Sequence, residues 1–356
     1  MRENNKKSIG FVGFGKRVEN VYLPIINKLS DHFEISGFST RRKNRESQII
    51  NDYGLEPFEN EIEVCNNSDL VIAFCPPETH LEVLGKIDGH CDNILIETPV
   101  LDQRVVEFSM GSSSRISVAE QWPFLPYELF KQSFIDSGVI ERPFLVQNDC
   151  RTLDYHGMAQ LRSYLGRSIA PLTAYGTMTG ARTPFYIDKN GSRKNPGEID
   201  AWDIGQVKFT NGAVLIHNFA YACKIAPFRS IQTLRYYSSN GTVISGKKDD
   251  KANDYEIFDA RYVGKSGETI TSDISIERSS AGTVIKISDS ASGVTWASPY
   301  SDLCFDDQEH AISHLLTAAA NDEVIYTPRD SFVDSMLVNA IKQSAQSSQV
   351  INFNFS

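Results

Sequence analysis

The sequence lacks the features of several protein classes. Its 35 Lys and Arg residues are outnumbered by 45 Asp and Glu residues, and the formal charge of -10 disfavours nucleic acid or an anionic membrane surface as a main partner. No apolar run approaches the length of a membrane-spanning helix, and the polar first residues do not resemble a secretory signal. We therefore expect a cytoplasmic protein with neither a nucleic-acid nor a membrane partner.

Metal-binding and disulfide patterns are also missing. The 6 cysteines are scattered without C-x-x-C spacing, which indicates reduced, mostly buried thiols. His310 and His314 have the i, i+4 spacing that can bind a metal, but no cysteine or third histidine lies near them in sequence. We therefore expect a surface pair of histidines and no metal site.

The length and composition indicate two domains. A chain of 356 residues exceeds one ordinary domain, and 41% hydrophobic residues can form a sizeable core. Strands and helices alternate in the first third, whereas short strands dominate later. The sequence predicts an α/β domain over residues 1–121 and an α+β domain over residues 122–356.

A glycine-rich turn follows the first predicted strand. The apolar run Ile9 to Val12 ends in Gly13-x-Gly15, and apolar residues at helical spacing follow Lys16 and Arg17. In a dinucleotide site the first glycine makes the tight turn and the second lets the backbone approach a pyrophosphate at the helix start. The third glycine position of the pattern is Val18, so an ordinary strand-to-helix turn is the alternative.

The end of the second strand suggests which dinucleotide binds. The strand Phe33 to Phe38 runs into Ser39-Thr40-Arg41-Arg42, where a carboxylate would hold the ribose 2′-hydroxyl of NAD. Hydroxyls and guanidinium groups instead suit a 2′-phosphate. The sequence predicts NADP(H) in preference to NAD(H), with Thr40, Arg41 and Arg42 as ligands; a solvated basic loop is the alternative.

Two further strands end in distinctive turns. The run Leu70 to Cys75 stops at Pro76-Pro77-Glu78-Thr79-His80, and Asn93 to Ile96 is followed by Glu97-Thr98-Pro99. A strand apolar throughout is typical of a parallel sheet covered on both faces. Open α/β sheets bind ligands at the carboxyl ends of their strands, so we expect these turns to face one site.

These segments, in this order, resemble the Gfo/Idh/MocA family of NAD(P)-dependent oxidoreductases. The likeness extends through Val118-Ala119-Glu120-Gln121-Trp122-Pro123-Phe124, which is similar to the segment opening that family's second domain, and covers nearly the whole chain. It implies a Rossmann dinucleotide-binding domain and a C-terminal domain with a large, mainly antiparallel, open-faced sheet. The cofactor-binding residues it implies, with those from the glycine turn and second strand, are Gly13, Gly15, Lys16, Arg17, Thr40, Arg41, Arg42, Cys75, Pro76, Pro77, His80, Glu97, Gln121 and Trp122.

The chain departs from the family at one catalytic position. The lysine of the family's Glu-Lys-Pro tripeptide, which the resemblance implies would bind substrate and move its proton, is Thr98. A threonine hydroxyl carries no charge, and its pKa is too high for ordinary proton transfer. The family's chemistry therefore does not transfer directly, and Pro99 is expected to carry the turn, with a cis peptide as one possibility.

A polar cluster follows the first strand of the second domain. The resemblance places a histidine ten residues before a Leu-x-Gly helix end, and His156 lies at that spacing before Gly166. A histidine's unperturbed pKa near neutrality suits it to protonate a substrate, so we predict His156 as the acid, with Tyr155 in reserve. Asp154 or Asp149 could orient the ring, and Arg151 could hold a substrate carboxylate. We predict Arg151 and Asp154 as the substrate-binding residues; a capping or core histidine at position 156 is the alternative.

Three functions are compatible with these features. The first is an NADP(H)-dependent oxidoreductase acting on a small carbonyl, imine or sugar-like substrate, with His156, Tyr155 and Thr98 as the catalytic candidates. The second is a non-catalytic NAD(P)-binding sensor or regulatory protein on the same fold. The third uses the cofactor without net turnover, for elimination or epimerisation. The resemblance also implies a homodimer or homotetramer formed through the open face of the second sheet.

Overall fold

The described part of the chain forms two units. The computed structural model describes residues 6–150, 154–182, 186–187, 193–194, 199–220, 232–247, 255–280 and 282–353. Unit 1 contains Met1–Gln121 and Gln308–Val333, and unit 2 contains Trp122–Asp307 and Asp334–Ser356. The sequence-based division assigned residues 308–333 to the second domain, whereas in the structure they pack with the first. Within the described residues no helix is both long enough and apolar enough to cross a membrane.

Unit 1 is built around a parallel sheet. Its strands are β1 (Lys7–Val12), β2 (Phe33–Ser39), β3 (Leu70–Ala73), β4 (Asn93–Ile96) and β5 (Arg115–Val118). They lie in the order β2-β1-β3-β4-β5, and every neighbouring pair is parallel. All residues of β3 and β4 are buried, as the continuous apolar runs predict. The predicted Rossmann fold is confirmed.

Short helices connect these strands. A π-helical turn over Val18–Tyr22 continues as α1 (Leu23–Lys28), and α2 (Lys43–Tyr53), α3 (Glu61–Asn66), α4 (His80–Ile87) and α5 (Gln103–Gly111) follow. A 3-10 turn over Pro77–Thr79 precedes α4. Helix α3 begins at Asn60, whose side chain accepts hydrogen bonds from the amides of Ile62 and Glu63.

Unit 2 contains a large mixed sheet. In chain order its nine strands are β6 (Leu145–Cys150), β7 (Pro171–Arg182), β10 (Ile199–Phe209), β11 (Val214–Ala220), β12 (Gln232–Tyr237), β13 (Gly241–Lys247), β14 (Tyr255–Val263), β15 (Thr269–Thr271) and β19 (Ile351–Asn352). Strands β8 (Tyr186–Ile187) and β9 (Arg193–Lys194) pair with each other, and β16 (Ile274–Arg278), β17 (Val284–Asp289) and β18 (Thr295–Ala297) form a three-stranded sheet. In the large sheet β6 and β11 are parallel, and the other described pairs are antiparallel.

One predicted strand is divided between two sheets. The sequence suggests a single strand over residues 269–276, but Thr271 pairs with Arg261 in the large sheet and Ile274 pairs with Asp289 in the small one. The Asp273 amide donates to the Asp289 side chain at the point where the chain changes sheets. Apolar periodicity does not reveal such a change, because both halves keep the alternation of a strand.

In the described part of unit 2, helices pack against one face of the large sheet. The helices of this unit are a 3-10 turn over Trp122–Phe124, α6 (Pro126–Asp136), α7 (Asp154–Leu165) and the larger part of α9 (Pro328–Ser347), whereas α8 (Asp307–Ala320) lies almost wholly in unit 1. Ile341 of α9 lies so close to Gly176 and Gly205 that a Cβ atom at either glycine would fall within 2.4 Å of it. On the other face, Tyr175 is 45% exposed and Ile204 is 41% exposed. The predicted open-faced sheet is confirmed.

Candidate nucleotide-binding site

The turn after β1 exposes bare backbone at the carboxyl edge of the unit 1 sheet. Gly13 has a φ of +86°, and a Cβ atom there would lie 2.4 Å from the carbonyl oxygen of Phe74. Its amide donates a hydrogen bond to the Ser39 carbonyl at 2.9 Å. A Cβ atom at Gly15 would meet no atom within 4 Å, so the space in front of this residue is open. The turn therefore has the form of a cradle for a phosphate at a helix start.

A cavity of about 420 Å³ opens beside this turn, within unit 1. It lies at the carboxyl ends of β1, β2 and β3, the edge at which open α/β sheets bind ligands. Its walls combine backbone from the glycine turn, hydroxyl groups, three cationic side chains and apolar groups. The lining residues are Val12, Gly13, Phe14, Gly15, Ser39, Thr40, Arg41, Arg42, Lys43, Glu59, Asn60, Glu61, Phe74, Cys75, Pro76, Thr79 and Val83.

The three cations of the cavity differ in their partners. Arg41 Nη2 lies 2.8 Å from Glu82 Oε1, and both side chains are more than half exposed. Lys43 Nζ lies 2.6 Å from Glu46 Oε2 within α2. The backbone amide of Arg42 donates to Thr40 Oγ1 at 3.2 Å, and its guanidinium group forms no ion pair with any described residue. Among the described residues, Arg42 is thus the cation of the cavity that is in no ion pair.

Seven of the fourteen predicted cofactor-binding residues line the cavity. Gly13, Gly15, Thr40, Arg41, Arg42, Cys75 and Pro76 line it. Lys16 and Pro77 lie outside its lining, and so does His80, which is fully buried. Burial lowers the pKa of His80, so this imidazole is neutral. Burial also raises the pKa of the Cys75 thiol to about 11, which makes it a neutral part of the wall.

Three other predicted residues meet beyond the cavity, where β4 and β5 end. Arg17 Nε donates to Glu97 Oε1 at 2.6 Å, and Arg17 Nη2 donates to Gln121 Oε1 at 3.4 Å. Thr98, next to Glu97, is joined to Pro99 by a cis peptide bond, as the sequence suggested. The structure therefore brings Arg17, Glu97 and Gln121 into one cluster.

The sequence reasoning missed one wall of the cavity. Glu59, Asn60 and Glu61 also line it. They are positioned because Pro57 forms a bridge with Phe38 of β2, which returns the chain to the ligand edge before α3 begins. The Asn60 cap signals the start of a helix in the sequence, but not its place beside the cavity.

In unit 2 the predicted acid lies among aromatic rings. The His156 ring is 4.3 Å from the Tyr155 ring and 5.7 Å from the Trp122 ring, measured between centroids. His156 is 7% exposed. The Asp154 side chain forms an ion pair with Lys342 of α9 and accepts a hydrogen bond from the Tyr155 amide. Arg151 and Thr152 lie outside the described residues.

Asp149 points away from these rings. Its carboxylate accepts hydrogen bonds from Asn218 and Thr233, whose side chains stand on the open face of the sheet. Its neighbour Asn148 points to the opposite face and donates to the Gly157 carbonyl of α7. The suggestion that Asp149 orients the His156 ring is therefore wrong, because alternate residues of a strand face opposite sides.

Two further histidines, His217 and His310, are core residues. His217 is 1% exposed, its Nδ1 lies 2.8 Å from Asn148 Oδ1, and burial lowers its pKa to about 4. His310 is 2% exposed, and burial together with His314 lowers its pKa to about 4. The expected surface pair at 310 and 314 is therefore wrong, because α8 turns His310 into the core. No group of three or more potential metal ligands occurs among the described residues.

The geometry of unit 1 agrees with comparisons to known proteins. Residues 7–108 match the model of the oxidoreductase family GFO_IDH_MocA, described as having an NAD-binding Rossmann fold. No curated protein sequence matches the chain.

Three solved structures illustrate the range of similar folds. The transcriptional regulator Gal80p from Kluyveromyces lactis has 13% identity and a TM-score of 0.71, with 99% of this chain and 95% of that chain covered. An oxidoreductase from Agrobacterium radiobacter, solved with NAD+, L-tartaric acid and magnesium, has 16% identity and a TM-score of 0.66, with 98% of both chains covered. An oxidoreductase from Thermotoga maritima has 16% identity and a TM-score of 0.60, with the same coverage.

These TM-scores show that proteins described as oxidoreductases and a protein described as a transcriptional regulator share the fold of this chain. Because fold alone does not determine function, the similar structures do not choose between those roles. Together with the family match, the parallel sheet and the glycine cradle identify unit 1 as an NAD-binding Rossmann domain. Residues 7–108 thus match the NAD-binding Rossmann domain of the Gfo/Idh/MocA oxidoreductase family, and the resemblance indicated by the sequence is confirmed for this segment.

Proposed function

We propose that this protein is an NADP(H)-dependent oxidoreductase that acts on a small carbonyl, imine or sugar-like substrate. The observation that carries the proposal is that one cavity combines the glycine cradle with Thr40, Arg41 and Arg42. A phosphate at the ribose 2′ position would be held by charge-assisted hydrogen bonds from the arginines, and NAD(H) lacks that group. Glu59 and Glu61 oppose this preference, because carboxylates repel a phosphate.

The chain's own residues have separate roles in this proposal. A bound reduced nicotinamide supplies a hydride. Gly13 makes the turn, the open backbone at Gly15 holds the pyrophosphate, and His156 gives a proton to the substrate, with Tyr155 as the reserve donor. Asp154 fixes the start of α7 through Lys342, and Arg151 binds the substrate. The Thr98 hydroxyl carries no charge but can donate and accept hydrogen bonds, and through these it orients the substrate.

The same proposal assigns roles to the two units. Unit 1 binds NADP(H), and unit 2 binds the substrate and forms the subunit contact. The open face of the large sheet, with Tyr175 and Ile204 exposed, would pair with a second copy in a homodimer or homotetramer. We place the protein in the cytoplasm.

A second candidate is a non-catalytic NAD(P)-binding sensor. It is favoured by Thr98, which offers no charge at the strand end, and by the likeness to the regulator Gal80p. Both candidates require nucleotide binding, and they differ only in turnover.

Turnover distinguishes the candidates. NADPH and NADH are titrated by fluorescence, and NADPH consumption is then followed by absorbance with sugars, inosose-like polyols, keto acids and cyclic imines. Hydroxy acids are added with NADP+, because the Agrobacterium radiobacter oxidoreductase was solved with L-tartaric acid. The oxidoreductase proposal predicts consumption that His156→Ala reduces by about 100-fold or more without loss of nucleotide affinity. Binding without turnover of any compound supports the sensor.

A further inference from the structure

Unit 1 holds a partly exposed arginine, paired with a buried glutamate, beyond the nucleotide cavity. The guanidinium group of Arg17 donates to Glu97 through Nε at 2.6 Å and to Gln121 through Nη2 at 3.4 Å. Its central carbon lies 5.9 Å from the ring centre of Tyr22, which is buried below it. Residues from three separate segments thus hold one arginine in place.

The arrangement directs the charge outward. The Glu97 side chain is 13% exposed, whereas that of Arg17 is 40% exposed. Burial raises the pKa of Glu97, and the adjacent guanidinium opposes that shift. Burial disfavours the charge of Arg17, but Glu97 and Tyr22 more than offset it, so the pKa of Arg17 is raised. The buried carboxylate serves as an anchor, and the arginine stays charged at any ordinary pH.

The position of Arg17 determines which ligand it can meet. The cavity lies at the ends of β2, β1 and β3, and the Arg17 cluster follows next along the same edge, at the ends of β4 and β5. A dinucleotide with its adenosine end in the cavity extends toward that cluster. A second ligand that meets the far end of the dinucleotide therefore lies beside Arg17.

We propose that Arg17 binds an oxygen anion of the second ligand, and that the ligand class is a small carboxylate such as a keto acid or hydroxy acid. This inference rests on the proposed function, because it concerns the substrate of the same site. Guanidinium matches a carboxylate with paired donors, and it cannot release a proton. Arg17 therefore orients and stabilises the anion, whereas Glu97 is a positioning residue. The pyrophosphate of the nucleotide is the other possible source of the same oxygen-anion chemistry.

The test uses the full chain and separate probes for the two sources. Isothermal titration with malonate, with and without saturating NADPH, measures carboxylate binding. Titration with NADPH and with 2′-phospho-ADP-ribose measures binding of the pyrophosphate. The variants are Arg17→Met, Arg17→Lys, and Arg17→Met combined with Thr98→Lys. Arg104→Met is the matched control, because Arg104 is an exposed arginine of α5 outside the cavity and the cluster.

The inference predicts that Arg17→Met weakens malonate binding by about tenfold or more and leaves both nucleotide affinities unchanged. Arg17→Lys keeps the positive charge but lacks the paired donors of a guanidinium group, so the affinity for malonate should fall by about threefold. Adding Thr98→Lys should restore part of the malonate affinity. The inference is overturned if Arg17→Met lowers the affinity for both nucleotides and leaves the affinity for malonate unchanged. It is also overturned if malonate binds neither the natural chain nor its NADPH complex. Absence of nucleotide binding by the natural chain would instead refute the proposed function, and malonate titration of the nucleotide-free chain would still test Arg17.

Discussion

The arginine without a carboxylate partner should control the choice between NADPH and NADH. Arg42 lines the cavity and forms no ion pair with a described residue, whereas Arg41 is paired with Glu82 at 2.8 Å. We expect Arg42→Gln to weaken NADPH binding and to leave NADH binding unchanged, because only NADPH carries the 2′-phosphate.

The magnitude follows from Coulomb's law. A phosphate with about two negative charges, about 4 Å from a guanidinium in water, gains about 2 kcal/mol. Since 1.4 kcal/mol corresponds to a factor of ten, Arg42→Gln should raise the Kd for NADPH by about 10- to 30-fold. Arg41→Gln should have a smaller effect, about threefold, because Glu82 already offsets that charge. For the same reason Glu82→Gln should strengthen NADPH binding.

Fluorescence titration of both nucleotides against these variants provides the assay. Arg104→Gln is the control, since this arginine is 72% exposed on α5 and pairs with Asp102 away from the cavity. An equal loss of NADPH and NADH affinity in Arg42→Gln would refute the reasoning, and so would no loss of either. A weaker NADPH complex in Glu82→Gln would contradict the assignment of Arg41.

Three further predictions concern the scaffold. Gly13→Ala should lower the free energy of unfolding, measured by urea titration, by about 1 to 3 kcal/mol, because φ is positive at this residue. Gly15→Ala should leave stability unchanged and weaken the binding of NADPH. Lys131→Met should lower the free energy of unfolding by about 3 to 5 kcal/mol, because buried Glu128 loses its cation. The double variant Lys131→Met with Glu128→Leu should recover most of this stability, and no recovery would contradict the ion-pair account. The pKa of His310 in the folded chain, about 4, lies below its ordinary 6.5. Neutral His310 therefore adds its full share to the free energy of unfolding above pH 6.5, and this share declines as the pH falls toward 4. His310→Asn should remove about 3 kcal/mol of that decline, and an unchanged pH profile would refute the assignment.

The elements that carry local signals were predictable from the sequence. The turn at Gly13 follows an apolar strand, and the carboxyl ends of β3 and β4 are marked by Pro76 and Pro99. Parallel strands place such ends at one edge, which is why residues predicted after β1, β2 and β3 line one cavity. The hairpin turns at Gly212 and Gly293 were also predictable, because Asn-Gly and Ser-Gly between two strands are typical turn residues. Both glycines adopt the positive φ that such turns require.

The features that depend on distant segments were not predictable. Glu59 and Glu61 reach the cavity because Pro57 bridges to Phe38, and no local pattern encodes that bridge. Lys342 pairs with Asp154 across 188 residues, so the charge beside the start of α7 has no local sequence signal. The burial of His310 likewise depends on what packs against α8, and its spacing with His314 carries no such information.

The central claim is that unit 1 binds a phosphorylated adenine dinucleotide against its glycine turn. The most direct test titrates the purified natural chain with NADPH and NADH and follows nucleotide fluorescence. The account predicts saturable binding of both, with NADPH tighter by about tenfold or more. Absence of a saturable signal with either nucleotide, or tighter binding of NADH, would contradict it.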